Sequence, residues 1–227
     1  MPWRLFTRAG HSVVFATEHA KRGACDPRLL TGVLFGKLGA ERDAKAFYAD
    51  MERAQEFESP IAWAAIEATD YSALVLPGGH APGMKQYLAS EVLQSKVVAF
   101  WKLGRPVGAI CHGTVLAARS IDPVTGKSIL HGVKTTCLPK YMERAAYFST
   151  FWKLGRYYRT YPEYVEDEVK RSLAFAADFQ RGPFELSKRG SDTDDRPAFV
   201  VEDGRYVSAR WPGDAYLFAK KLIARLA

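Results

Sequence analysis

The sequence predicts an α/β fold whose mostly parallel sheet is covered on both faces, and three observations predict it. Short β-prone runs alternate along the chain with longer segments of helical spacing. The runs at residues 73–76 and 106–110 are apolar or small throughout, as strands buried on both faces require. Each run ends at once in a loop of small residues, Pro77-Gly78-Gly79 after the first and Cys111-His112-Gly113 after the second. Ligands of such folds bind beyond the carboxyl ends of the strands, so Leu76 and Ile110 should bring both loops to one rim.

The elements follow in order. Residues 2–9 suit a short helix, with Pro2 just inside its start and Gly10 just past its end. Residues 12–16, Ser-Val-Val-Phe-Ala, form a continuous β-prone run expected as a strand buried on both faces. Residues 20–60 read as an insertion. Within it Ala44, Phe47, Tyr48, Met51 and Ala54 recur at helical spacing, up to the Ser59-Pro60 stop. Ser90 can cap a helix carrying Leu93, Val97, Phe100 and Trp101, ended by Gly104. Residues 114–118 read as helix, as do the aromatic-rich segments 139–152 and 161–177. Asp203-Gly204 between two β-prone runs signals a hairpin, and residues 214–226 form a last helix. The hexapeptide Phe-Trp-Lys-Leu-Gly-Arg occurs at 100–105 and 151–156, and its unmatched flanks make it two similar helix ends rather than a repeat.

The 227 residues are expected to form one domain, with insertions at about 20–60 and 138–198. With 48% hydrophobic and 25% charged residues the chain can bury a large core and is not disordered for most of its length. No apolar run approaches the ~18 residues of a membrane span, and the N-terminus lacks the pattern of a signal peptide. A soluble cytoplasmic protein is expected. Three cysteines far apart, without a Cys-x-x-Cys, argue against a disulfide framework and a structural zinc site. The net charge of +7 comes from basic residues scattered singly or in pairs, which reads as a solvated surface and not as a nucleic-acid patch.

Ala109-Ile110-Cys111-His112-Gly113 has the small-x-nucleophile-x-small pattern of a nucleophile elbow. A cysteine there stands at a helix N-terminus, where a thiol pKa is expected to fall from ~8.5 into the range ~3.5–7.5. The competing role is that of a small hydrophobe at a strand end. Pro77-Gly78-Gly79-His80-Ala81-Pro82-Gly83 leaves backbone N–H groups pointing into the same rim, as an oxyanion hole requires; alone it could be an ordinary glycine turn. Together the two loops point to covalent cysteine catalysis.

With Asp70-Tyr71-Ser72-Ala73-Leu74-Val75-Leu76-Pro77-Gly78-Gly79-His80 and the elbow pentapeptide, the chain resembles the ThiJ/PfpI family of the DJ-one superfamily, with its class I glutamine amidotransferase-like fold. The resemblance covers most of residues 2–135 and the tail from Asp203, leaving 138–198 as a helical cap of a subfamily. It implies a flavodoxin-like three-layer sandwich, usually dimeric. The branch it resembles most is the heat-shock-type glyoxalase III, which converts methylglyoxal to lactate without glutathione, cofactor or metal. On that resemblance Cys111 is the nucleophile and His112 its general base and acid. The backbone N–H groups of Gly79 and His112 hold the oxyanion, and Gly78 and His80 form the substrate rim. An acid some thirty residues past the cysteine orients the histidine; Glu143 fits that spacing, with Glu163 and Asp122 also available.

Other classes are weighed against this one. An amidotransferase needs a later His-x-Glu pair and a cysteine α/β-hydrolase needs a histidine near the C-terminus, but the five histidines end at His131. Metal catalysis would have to recruit His80, His112 or His131 from separate loops. Cys25 and Cys137 read as plain thiols. The non-enzymatic competitor is a redox-sensing or holdase-like chaperone in which Cys111 is oxidised, and peptidase and deglycase labels are also attached to the family. Proteins of this kind begin with a central strand that delivers a glutamate beside the cysteine, whereas Met1-Pro2-Trp3-Arg4 is already in the first helix. A sheet missing its first strand is therefore expected, with that strand encoded upstream.

Overall fold

A computed structural model describes residues 1–32, 39–159 and 161–226. In chain order the elements are α1 (Pro2–Arg8), β1 (Ala16–Thr17), α2 (Pro27–Thr31), α3 (Arg42–Glu52), α4 (Gln55–Glu58), β2 (Ile61–Ala62), β3 (Leu74–Leu76), α5 (Met84–Ala89), α6 (Glu91–Lys102), β4 (Val107–Ile110) and α7 (Gly113–Arg119). They continue with β5 (Ile121–Asp122), β6 (Lys127–Ser128), α8 (Lys140–Leu154), α9 (Val165–Ser172), β7 (Val200–Asp203), β8 (Tyr206–Ala209) and α10 (Ala215–Ile223).

The main sheet has the order β3-β4-β8-β7. Leu74, Val75 and Leu76 pair in parallel with Val107, Gly108 and Ala109, and β4 pairs in parallel with β8. β7 closes the sheet antiparallel, joined to β8 through Gly204 at φ 55°. All four residues of β4 and of β8 are buried, which is why both read as unbroken apolar or small runs. Gly108 admits α10: a Cβ there would lie 2.6 Å from both Leu222 and Phe218. The core runs continuously from Trp63 and Leu76 through Val115 to Leu138, Met142, Val165 and Phe218, so the segment after residue 138 shares it.

Helix ends form as the sequence predicts. Ser90 Oγ accepts the Leu93 N–H at 3.2 Å and caps α6. The repeated hexapeptide closes α6 at Gly104 (φ 64°) and α8 at Gly155 (φ 56°), where a glycine with positive φ ends each helix.

Two expectations change. Of residues 12–16 only Ala16 enters a ladder, joined by Thr17 and paired with Ile61–Ala62, and Val14 is 50% exposed. The partner strand is only two residues long, so most of the run has nothing to pair with. β1 and β2 form a sheet of their own, with no ladder to β3 among the described residues. The helix expected over 161–177 holds only at Val165–Ser172. Beyond it the Asp178 carboxylate accepts the Phe175 N–H and favours a tight turn at Ala176–Asp178. Thr135 makes one isolated bridge to Phe179.

The strap between α9 and β7 is fastened at two buried charges. Glu166 accepts the Lys140 N–H at 2.9 Å, Lys170 Nζ at 2.6 Å and the Arg181 guanidinium. Arg210, immediately after β8, forms a bidentate pair with Asp214 through bonds of 2.9 Å, and donates to the Pro183 carbonyl at 2.8 Å.

Candidate active site

β4 delivers Cys111 on a sharp turn into α7. Its φ of 59° is one that non-glycine residues rarely adopt, and the Cys111 N–H donates to the Ala209 carbonyl at 2.9 Å. Small neighbours make the turn feasible. A Cβ on Gly113 would lie 2.0 Å from the Leu76 carbonyl oxygen, and one on Gly78 would lie 2.6 Å from the Ile110 carbonyl oxygen and 2.7 Å from the His112 nitrogen. The loops after β3 and β4 therefore touch, as the sequence predicts, and each requires its glycine.

Cys111 Sγ lies 3.4 Å from Nδ1 of the adjacent His112. Both residues are buried, Cys111 at 6% and His112 at 0% exposure. Burial pushes the thiol up to about 12; the His112 backbone N–H opposes the rise, while the charges of Glu143 and Asp214 add to it. Burial also holds His112 well below its ordinary value, helped by neighbouring His80. The lowered thiol pKa expected from the helix N-terminus is thus corrected. Removing the thiolate from water outweighs the oriented N–H groups, and the resting pair is a neutral thiol beside a neutral imidazole.

Glu143 sits on the first turn of α8, fully buried, where Oε2 accepts the Val165 N–H at 3.1 Å. Burial raises its carboxyl to about 7, against the Val165 N–H and Arg159. The structure does not bring Glu143 into a hydrogen bond with His112, whose Nε2 is buried and has no partner among the described residues. The other two candidate acids lie further out, Glu163 paired with Arg171 and Asp122 with Lys102 at 2.8 Å. Glu143 alone of the three is buried and close enough for its charge to act on Cys111.

The Gly79 N–H donates to no acceptor among the described residues, which leaves it available at the rim. His80 follows it. Its ring meets His112 edge-on at 4.5 Å between centroids and meets Tyr158 at 4.9 Å. Burial lowers His80 to about 4, and its Nδ1 is shut from solvent without a partner among the described residues. Tyr158 was not singled out by the sequence; only the aromatic richness after residue 138 hinted at it. Cys137 is wholly buried and Cys25 half-buried. Two pockets, of about 320 and 770 Å³, lie elsewhere, beside the β5–β6 hairpin and between α3 and the strap. Among the described residues no three His, Cys, Asp or Glu side chains gather as metal ligands, and no helix is long and apolar enough to cross a membrane.

A parallel sheet whose strand delivers a buried cysteine on a strained turn, beneath a glycine loop, defines a class of α/β proteins. The description of a ThiJ/PfpI-like family matches residues 1–174, and the chain belongs to that family. Two curated relatives are similar. One is an uncharacterized protein of Schizosaccharomyces pombe, 29% identical over 154 residues, 64% of this chain but 55% of that protein. The other is a deglycase of Thermococcus kodakarensis, 27% identical over 170 residues, 73% of this chain and 69% of that one. Among solved structures, the 24-kDa rapid encystment protein of Francisella tularensis aligns with a TM-score of 0.75 at 18% identity, covering 100% of this chain and 86% of its own. Glyoxalase III of Candida albicans aligns at 0.68 and 21% identity, covering 99% and 84%. These likenesses establish a DJ-1/ThiJ flavodoxin-like fold.

Proposed function

We propose that the protein is a cysteine-dependent enzyme acting on small 2-oxoaldehydes without a cofactor, in the manner of a glyoxalase III or a related deglycase. The observation that carries this reading is Cys111 on its strained turn, with Sγ 3.4 Å from His112 Nδ1 beneath the Gly78 loop. The glyoxalase III and deglycase among the similar proteins support the same chemistry. Because the resting thiol is neutral, its proton passes to His112 as sulfur bonds to the aldehyde carbon, giving a hemithioacetal. The Gly79 and His112 N–H groups stabilise the developing oxyanion. A proton then moves from the first carbon to the second, which oxidises one and reduces the other within the same molecule. The resulting thioester is released by water as the hydroxy acid. Glu143, near Cys111 and carrying a raised pKa, is the acid assigned to this proton traffic. A homodimer in the cytoplasm belongs to the same reading.

Lactate formation from methylglyoxal by wild type and Cys111→Ser, with and without chelator, tests it. Turnover that is lost in the variant and unaffected by chelator is the expected result. The exposed aromatic side chains Phe148, Phe151 and Trp152 on α8 favour a second reading, a holdase-like chaperone. Absent turnover, with both forms protecting a client from aggregation, would establish that reading instead.

A further inference from the structure

Two ring nitrogens near Cys111 are buried without partners among the described residues, His112 Nε2 and His80 Nδ1. Their rings are in edge contact, and Tyr158 from the segment after α8 also meets the His80 ring, at 4.9 Å between centroids. A polar group left buried and unpaired has lost its water with nothing in return, so two in touching rings beside a nucleophile call for a polar ligand. A simple aldehyde has one oxygen, which the backbone N–H groups of the rim would hold. A vicinal dicarbonyl has a second oxygen, one carbon away.

We propose that His80 is a second catalytic imidazole, whose Nδ1–H donates a hydrogen bond to the ketone oxygen of a 2-oxoaldehyde held on Cys111, so that the site selects vicinal dicarbonyls over simple aldehydes. This rests on the 2-oxoaldehyde reading above. When His112 removes the proton from the first carbon of the hemithioacetal, the electron pair enters the bond between the two carbons and charge moves onto the ketone oxygen. His80 stabilises that charge as a neutral donor, which suits a ring kept neutral by burial. The proton held by His112 returns at the second carbon, and the hydroxyl proton of the first carbon ends on the former ketone oxygen as the thioester carbonyl forms, so the hemithioacetal and the 2-hydroxy thioester are isomers. No external oxidant or reductant is required.

The test reads addition at Cys111 apart from turnover. Protection of Cys111 from iodoacetamide is measured against methylglyoxal and against propanal, in wild type, His80→Ala and His80→Asn, with folding verified by thermal melting. Wild type should be half-protected by methylglyoxal at a concentration at least tenfold below that of propanal. His80→Ala should raise the methylglyoxal concentration needed by tenfold or more and leave propanal unchanged, and His80→Asn, which keeps a donor near the Nδ1 position, should restore part of the difference. A merely structural role would weaken protection by both aldehydes together. Equal loss for both, or no loss, overturns the role of His80 while leaving the 2-oxoaldehyde reading in place. No protection of wild type by either aldehyde overturns that reading and the role of His80 with it.

Discussion

Cys111 and Glu143 show how burial sets chemistry one residue at a time. With its pKa raised to about 12, Cys111 should alkylate roughly tenfold faster for each unit of pH between about 7 and 10, because only the thiolate reacts. Stopped-time iodoacetamide labelling with peptide mapping measures this, and a plateau below pH 8 would contradict a neutral resting thiol. Glu143 carries the opposite kind of information. A carboxyl raised from 4.5 to about 7 is stable when protonated, so its contribution is full below about 4.5 and is lost as pH rises through about 7. Glu143→Gln, whose carbonyl can still accept the Val165 N–H, should therefore melt higher than wild type at pH 8, by up to about 3 kcal/mol. The two should be nearly equal at pH 4.5. If Glu143 also serves turnover, the same variant loses roughly 10²-fold in rate while gaining stability. The adjacent Cys111 and His112 stand out in the sequence by type and spacing, whereas Glu143 was one of three acids suggested only through the family resemblance. Their protonation states could not be read there, since those depend on how much water the folded chain excludes.

Among the elements, the two loops at the rim depend on glycines that pack rather than merely turn. Gly113→Ala would drive a Cβ to 2.0 Å from the Leu76 carbonyl and should cost about 3 kcal/mol or more, with loss of the elbow. Gly126→Ala, at φ +66° with nothing within 4 Å, should cost only about 1 kcal/mol. Melting the two variants side by side separates close approach from backbone strain. Glu166 ties α8, α9 and the strap together, and Lys170, Arg181 and the Lys140 N–H bring it down to about 2 despite burial. A depressed carboxyl stabilises above its ordinary 4.5 and loses that contribution as pH falls toward about 2. Glu166→Gln should accordingly destabilise the protein at pH 7, and an acid titration followed by tyrosine and tryptophan fluorescence should show its difference from wild type vanish near pH 2. Helix ends were legible because capping is local: Ser90, Gly104 and Gly155 act within a turn of where they stand. The strap was not, since its fastenings join Glu166 to Arg181 and Arg210 to the Pro183 carbonyl, pairs that no local pattern links.

Across the whole molecule, the β-structure is divided. β1 and β2 share a ladder two residues long, while β4 and β8 share one of four residues inside the core. Amide exchange should register the difference. The Ile61 N–H, bonded to Phe15, should exchange at least about 100-fold faster than the Cys111 N–H, bonded to Ala209, if the small sheet opens by itself. Equal protection would mean that both sheets open as one unit. Asp214→Asn tests the ion pair that follows β8: it leaves the wholly buried Arg210 without its counter-charge and should cost about 3–5 kcal/mol.

The sequence by itself determined the parallel α/β frame, the places where β3 and β4 end, and the small residues that let their loops meet. Such features depend on apolar periodicity and on the conformational range of a few neighbouring residues. Only the tertiary structure decided that Cys111 rests as a neutral thiol, that Glu143 faces Val165, that His80 touches both His112 and Tyr158, and that residues 12–15 stay out of the main sheet. Each of these turns on the distance between segments remote in the chain or on the exclusion of water around a polar atom. Neither quantity exists until the chain has folded.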